Sequence, residues 1–140
     1  MLPQPAAVVV IRDDPGGRVD AFSRRVARYD RVVVRVEVRG ECASSCTMVL
    51  ALADRVCVGP HARFGFHQAY TPLPRQPYAT WNRSAVGTAT LMAHYPPAVV
   101  SWIEARGGLT GDLIWLRGAE LRSMLPACGR ARHAEGQDAR

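Results

Sequence analysis

Short apolar runs alternate with amphipathic stretches along this chain, and the change of period marks out its elements. Ala6-Ala-Val-Val-Val-Ile11 is continuous and apolar, the pattern of a buried parallel strand. Asp14-Pro15-Gly16-Gly17 then signals a turn, with glycines that admit positive φ and close backbone approach. From Arg18 to Tyr29 the residues Val19, Phe22, Val26 and Tyr29 recur at helical spacing, with arginines on the other face. Arg31–Val38 is β-branched and alternating and predicts a second strand. Gly40-Glu41-Cys42-Ala43-Ser44-Ser45 reads as a sharp turn, and Thr47–Ala53, free of Gly and Pro, as a helix. Arg55–Val58 and Arg63–Phe66 are two further strands, parted by the Gly59-Pro60 turn.

The later pattern is mostly helical. Thr71–Tyr78 is proline-punctuated and reads as a loop. Helices are expected over Thr80–His94, where Tyr95-Pro96-Pro97 breaks the period, and over Ala98–Arg106, where Gly107-Gly108 stops it. Leu113–Leu116 reads as a short extended piece and Gly118–Leu125 as a last helix. One domain over 1–127 is expected, followed from Cys128 to Arg140 by a basic, aperiodic, mobile tail. The order βαβαββ argues for an α/β fold built on a mainly parallel sheet. In such sheets chemistry sits at the carboxyl ends of strands, and Gly16-Gly17, Ser44 and His67 all fall just past one.

Composition narrows the function classes. The 140 residues, 48% hydrophobic and 21% charged, suit one soluble globular domain with a real core. No apolar run approaches the roughly 20 residues that span a bilayer. No signal-peptide pattern is visible at the start, which implies the cytoplasm, or export with the leader removed. The net charge of +6 raises nucleic-acid binding, but all 18 basic residues are arginine, scattered, and without an interleaved aromatic stripe, so that reading is set aside. Four cysteines at irregular spacing do not suggest a disulfide scaffold. Cys42 and Cys46 have three residues between them rather than two, which argues against zinc and thioredoxin-like redox motifs. On one helical turn they would face each other, but the commoner reading is two small buried hydrophobes.

The residues past the strand ends allow nucleophilic catalysis, which needs a nucleophile, a base, an orienting acid and oxyanion donors. Ser44 is the candidate nucleophile; on its own stretch it reads equally as a helix N-cap. His67 is the candidate base, because histidine changes charge near neutral pH. The backbone N–H groups of Gly17 and Ser45 are candidate oxyanion donors at a helix N-terminus. Asp112 is the candidate acid, with Glu104 and Glu120 in reserve. His61 and His94 read as surface residues, and His61, His67 and a cysteine lack a recognised zinc spacing, so no metal or organic cofactor is expected.

Together, Asp14-Pro15-Gly16-Gly17, Gly40-Glu41-Cys42-Ala43-Ser44-Ser45 and Gly65-Phe66-His67-Gln68 resemble the proteolytic subunit of Clp protease. More closely they resemble small bacterial Clp-protease-like proteins whose serine motif is Gly-x-Cys-Ala-Ser-x-Cys. The resemblance spans roughly residues 7–125. It implies a crotonase-like ββα superhelix and a serine-type endopeptidase. It also implies a Ser44–His67–Asp112 triad, Gly17 as an oxyanion donor, a peptide substrate and homo-oligomeric assembly. Relatives of this type are often exported, which implies a periplasmic location. Ser45 stands where the protease usually has an apolar residue, and Asp112 fits the acid position only with a shift of about one residue. The chain starts almost at the strand before the Pro-Gly-Gly loop. A fold truncated at its N-terminus, without the loops that dock an unfoldase, is therefore expected. Two other readings share this fold: a catalytically inactive peptide-binding or assembly module, and a crotonase-type acyl-thioester enzyme.

Overall fold

The computed structural model describes residues 7–71 and 82–129. β1 (Ala7–Asp14) leads through the Pro-Gly-Gly loop into α1 (Val19–Val32), which returns the chain to β2 (Val33–Ala43). A 3-10 helix (Ser44–Arg55) follows, kinked at Leu52, then β3 (Val56–Val58), β4 (Arg63–Phe66) and β5 (Tyr70–Thr71). β6 (Asn82–Arg83), α2 (Ala85–Ala93), α3 (Pro97–Glu104), β7 (Ile114–Arg117) and α4 (Gly118–Met124) complete the described elements. The loop expected over 71–78 lies almost wholly outside the described residues, as do the first two residues of the helix expected from Thr80 and the tail beyond Gly129.

The sheet is ordered β1-β2-β4-β7, with β3 also on β2. β1, β3 and β4 all pair with β2 in parallel, and only β7 runs antiparallel, against β4. This is the expected α/β class with a mostly parallel sheet. β2 serves two partners in turn along one edge, with Val36–Val38 on β3 and Glu41–Ala43 on β4.

Two local readings are corrected. The chain does not turn at Gly40: β2 continues to Ala43, because both Glu41 and Cys42 still pair with β1 and β4. Gly40 is glycine for another reason. A register irregularity between Ile11 and Asp13 pushes the Arg12 backbone onto it, and a Cβ there would overlap the Arg12 carbonyl. The second correction concerns the cysteines. Cys42 is bonded to Cys46 and Cys57 to Cys128, so all four are paired. The C-terminal segment runs beside β3, with Val58 N–H donating to Pro126 O (2.9 Å) and Cys128 N–H to Val58 O (2.9 Å). Cys128, expected to begin the mobile tail, is thus anchored to the sheet.

The core lies between the sheet and the helices. Phe64, Phe66, Met48, Leu50, Ile103 and Leu116 are fully enclosed, and the Phe66 ring meets Tyr95 edge-on with centroids 5.1 Å apart. Many arginines are matched to carboxylates: Arg25 to Asp14, Arg55 to Asp30, Arg63 to Glu41, Arg106 to Glu120, and Arg35 and Arg39 to Glu37. Burial raises the Glu37 pKa, but the hydrogen bonds from Arg39 and Arg35 outweigh it and hold the carboxyl below the usual range.

Candidate active site

Three strand ends meet at the carboxyl edge of the sheet. The register sets Asp14 beside Cys42 and Ala43 beside Gly65. The Pro-Gly-Gly loop, Ser44 and His67 therefore leave neighbouring parallel strands at one level, as the sequence pattern anticipates.

Ser44 stands at the point where β2 becomes the 3-10 helix. Its φ is +58°, and it is the only non-glycine residue with positive φ among those described. An L-residue in the left-handed region costs roughly 1–2 kcal/mol and persists only where its surroundings hold it. Several contacts hold this one. The Cys42–Cys46 disulfide brackets it from both sides, with both cysteines buried. Thr47 Oγ1 donates to the Ser44 carbonyl at 2.6 Å, and in turn accepts from Tyr95 OH at 2.5 Å. Burial pushes the Tyr95 phenol well above its ordinary pKa against the opposing Thr47 hydrogen bond, so Tyr95 stays protonated and remains a donor. Ser44 is not the helix cap: that position belongs to Ala43, with no side-chain cap bond.

The loop after β1 is pressed against this turn. Gly16 has φ +91°, and a Cβ there would come within 2.7 Å of both Ala43 O and Ser44 Cβ. Asp14 Oδ1 accepts from Gly16 N–H at 2.9 Å, and Arg25 lies 3.4 Å from the other carboxylate oxygen. Ser45 Oγ donates to Gly17 O at 2.6 Å. Gly17 is exposed, and its N–H has no hydrogen-bond partner among the described residues. Ser45 N–H lies in the first turn of the helix, where such groups lack intrahelical partners.

His67 follows β4 and is half-buried, its ring 5.7 Å from that of Tyr70. Its Nδ1 lies 2.5 Å from Gln68 O. No hydrogen bond joins His67 to Ser44 or to Asp112 among the described residues. Asp112 is nonetheless on a neighbouring segment: it precedes β7, whose Ile114 pairs with Phe66, and follows Thr110, which meets Gln68. Gln68 N–H donates to Thr110 O at 2.7 Å, and Asp112 N–H to Thr110 Oγ1 at 3.1 Å. The Asp112 carboxylate is exposed and takes no partner among the described residues. Of the reserve acids, Glu120 is bound by Arg106 at 2.7 Å and Glu104 is exposed on α3, neither at His67. His61 is exposed, and His94 Nδ1 lies 2.8 Å from Thr90 O.

The sequence reading missed Thr47, Tyr95 and Asp14 as supports of this edge. Asp14 was legible as an Asx residue two before a glycine. Tyr95 was not, because its contact with Thr47 joins residues 48 apart. With every cysteine in a disulfide, none is a thiolate ligand, and no cluster of three or more His, Cys, Asp or Glu suited to a metal occurs among the described residues. No helix among the described residues is long and apolar enough to cross a membrane.

No family model matches the chain, and a search of curated proteins finds no match. Solved structures do resemble it. One, described as an enzyme, aligns with TM-score 0.57 at 9% identity, over 86% of this chain and 75% of that one. A peptidase from Plasmodium falciparum aligns with TM-score 0.56 at 7% identity, over the same shares of 86% and 75%. At such identities the likeness is one of fold: an α/β chain wound as a peptidase's is wound.

Proposed function

We propose that this chain is a serine hydrolase, a Clp-protease-like endopeptidase of crotonase-like fold. The observation that carries the reading is Ser44, held at positive φ on the sheet's carboxyl edge, with a glycine loop packed on its Cβ. A serine presented on a tight strand-to-helix turn is an exposed nucleophile beside helix N–H groups. In the proposed reaction Ser44 Oγ attacks a peptide carbonyl and His67 takes its proton. The oxyanion is held by the N–H groups of Gly17 and Ser45. His67 then gives the proton to the leaving amine, and water releases the acyl group by the same steps in reverse. Gln68 O accepts from the imidazole at Nδ1, and Asp112, on the neighbouring segment that meets Gln68 through Thr110, takes only a minor supporting part as the acid.

The substrate class is peptide or protein, no cofactor is used, and homo-oligomeric assembly is part of the proposal. Two disulfides that use every cysteine favour an oxidising compartment over the cytoplasm. The missing Ser44–His67 hydrogen bond favours a second reading, a catalytically silent member that binds peptides or serves in assembly.

Labelling with a fluorophosphonate probe, read by intact mass, tests the choice. The natural protein is expected to take one phosphonyl group, mapped to Ser44. Ser44→Ala takes none, and His67→Ala labels at least ~10³-fold more slowly. A folded natural protein that does not label would overturn the hydrolase in favour of the silent module.

A further inference from the structure

We propose that Ser45 is a positioning residue whose side-chain hydroxyl fixes the donor presented by the Gly16–Gly17 loop; this rests on the hydrolase reading above. Ser45 is 1% exposed, and its Oγ donates to Gly17 O at 2.6 Å, across 28 residues of chain. A serine at a helix start usually accepts from helix N–H groups. Here the hydroxyl proton is instead directed off the helix, onto the loop that follows β1.

The consequence is read one peptide plane at a time. Pro15 has no N–H. The plane between Pro15 and Gly16 is fixed by the Gly16 N–H bond to Asp14 Oδ1 at 2.9 Å. The plane between Gly17 and Arg18 is fixed by the Ser45 hydroxyl on Gly17 O. Between them lies the Gly16–Gly17 plane, whose N–H has no partner among the described residues. Two glycines in succession would let that plane swing freely; with both neighbours tied, it cannot. One residue thus joins the two halves of the oxyanion site, its backbone N–H as one donor and its side chain as the anchor of the other. An apolar residue at this position would provide only the first.

The test measures kinact and KI for fluorophosphonate labelling of the natural protein, Ser45→Ala and Ser45→Thr, each on folded protein. Ser45→Ala is expected to lose about tenfold or more in kinact, with KI within about threefold, because the loop donor acts on the charge that develops in the transition state. Ser45→Thr keeps the hydroxyl and is expected to label within about threefold of the natural rate. An unchanged kinact in Ser45→Ala overturns the proposal, as does an equal loss in Ser45→Thr. Should Ser45→Ala not fold, Ser45→Gly, which also lacks the hydroxyl, takes its place with the same expected loss in kinact. Should the natural protein not label, the hydrolase reading fails. The order parameter of the Gly17 N–H then separates the two ideas: a lower value in a folded Ser45 variant without the hydroxyl than in the natural protein supports the anchor, and an unchanged value removes it.

Discussion

The two disulfides hold the molecule in different ways. Cys42–Cys46 closes a loop with a sequence separation of 4, wholly local to the serine turn. Cys57–Cys128 closes one with a separation of 71 and staples the C-terminal segment alongside β3. In the chain-entropy account, cross-linking stabilises by limiting the unfolded chain, and it does so more for longer loops. The short bridge therefore removes little freedom from the unfolded state, while in the folded state it spans a serine at φ +58°. One bridge serves the whole fold; the other serves the geometry of a single residue.

Removing the long bridge is the largest expected change. Cys57→Ser with Cys128→Ser should lose about 4 kcal/mol of stability, from the loop-entropy relation, which for a domain of this size lowers Tm by roughly 12 °C. Labelling of the folded protein at Ser44 should stay near its natural rate. Thermal unfolding and the labelling rate, measured on one sample, check both halves. A matching loss of labelling at low temperature would show that the two regions are not separable.

Gly16→Ala attacks the serine turn without touching either bridge. The added Cβ meets Ala43 O and Ser44 Cβ at 2.7 Å, at a backbone φ of +91°. The expected cost is on the order of 2–3 kcal/mol, from positive φ and displacement of the loop, together with a large loss of labelling. Removal of the short bridge comes next. Cys42→Ser with Cys46→Ser should lose only about 2 kcal/mol by the same entropy relation, yet slow labelling by about tenfold or more, because nothing else brackets Ser44 covalently. If the double variant labels at the natural rate, the bracket is redundant with the Thr47–Tyr95 support.

These contrasts also mark what the sequence made legible. β1, α1, β3 and β4 were readable because their apolar periods are local, and β4 was placed to the residue. That Gly16-Gly17, Ser44 and His67 leave their strands at one edge of the sheet followed from each lying just past a strand end in a parallel sheet. What escaped depends on pairings between distant segments. Gly40 looked like a turn glycine, but its reason is the Arg12 carbonyl, visible only once β1 lies against β2. Cys57 and Cys128 find each other only because Pro126–Cys128 runs beside β3. The β2–helix junction was misplaced for the same reason: the pairing of Glu41–Ala43 with β4 extends the strand beyond its local signal. Ser44 itself was marked by its place between a strand and a helix start and by its resemblance to the Clp-protease-like serine motif, whereas its strained backbone and its bracket were not.

The smallest expected effect concerns a region that neither bridge reaches. Asp112 follows Thr110–Gly111 on an exposed stretch tied to the site by Gln68 N–H on Thr110 O and by its own N–H on Thr110 Oγ1. In a Ser-His-Asp triad the acid fixes the imidazole through Nδ1, and replacing it by the amide slows reaction by about 10⁴. Here Nδ1 of His67 already sits 2.5 Å from Gln68 O, a backbone acceptor that no side-chain substitution removes. Asp112→Asn is therefore expected to change the labelling rate by less than about threefold, which corresponds to about 0.6 kcal/mol. A loss approaching 10⁴ would mean that the carboxylate displaces the Gln68 carbonyl in the reacting molecule. The acid's segment would then belong, with the serine turn, to the part of the fold built for a single residue's geometry.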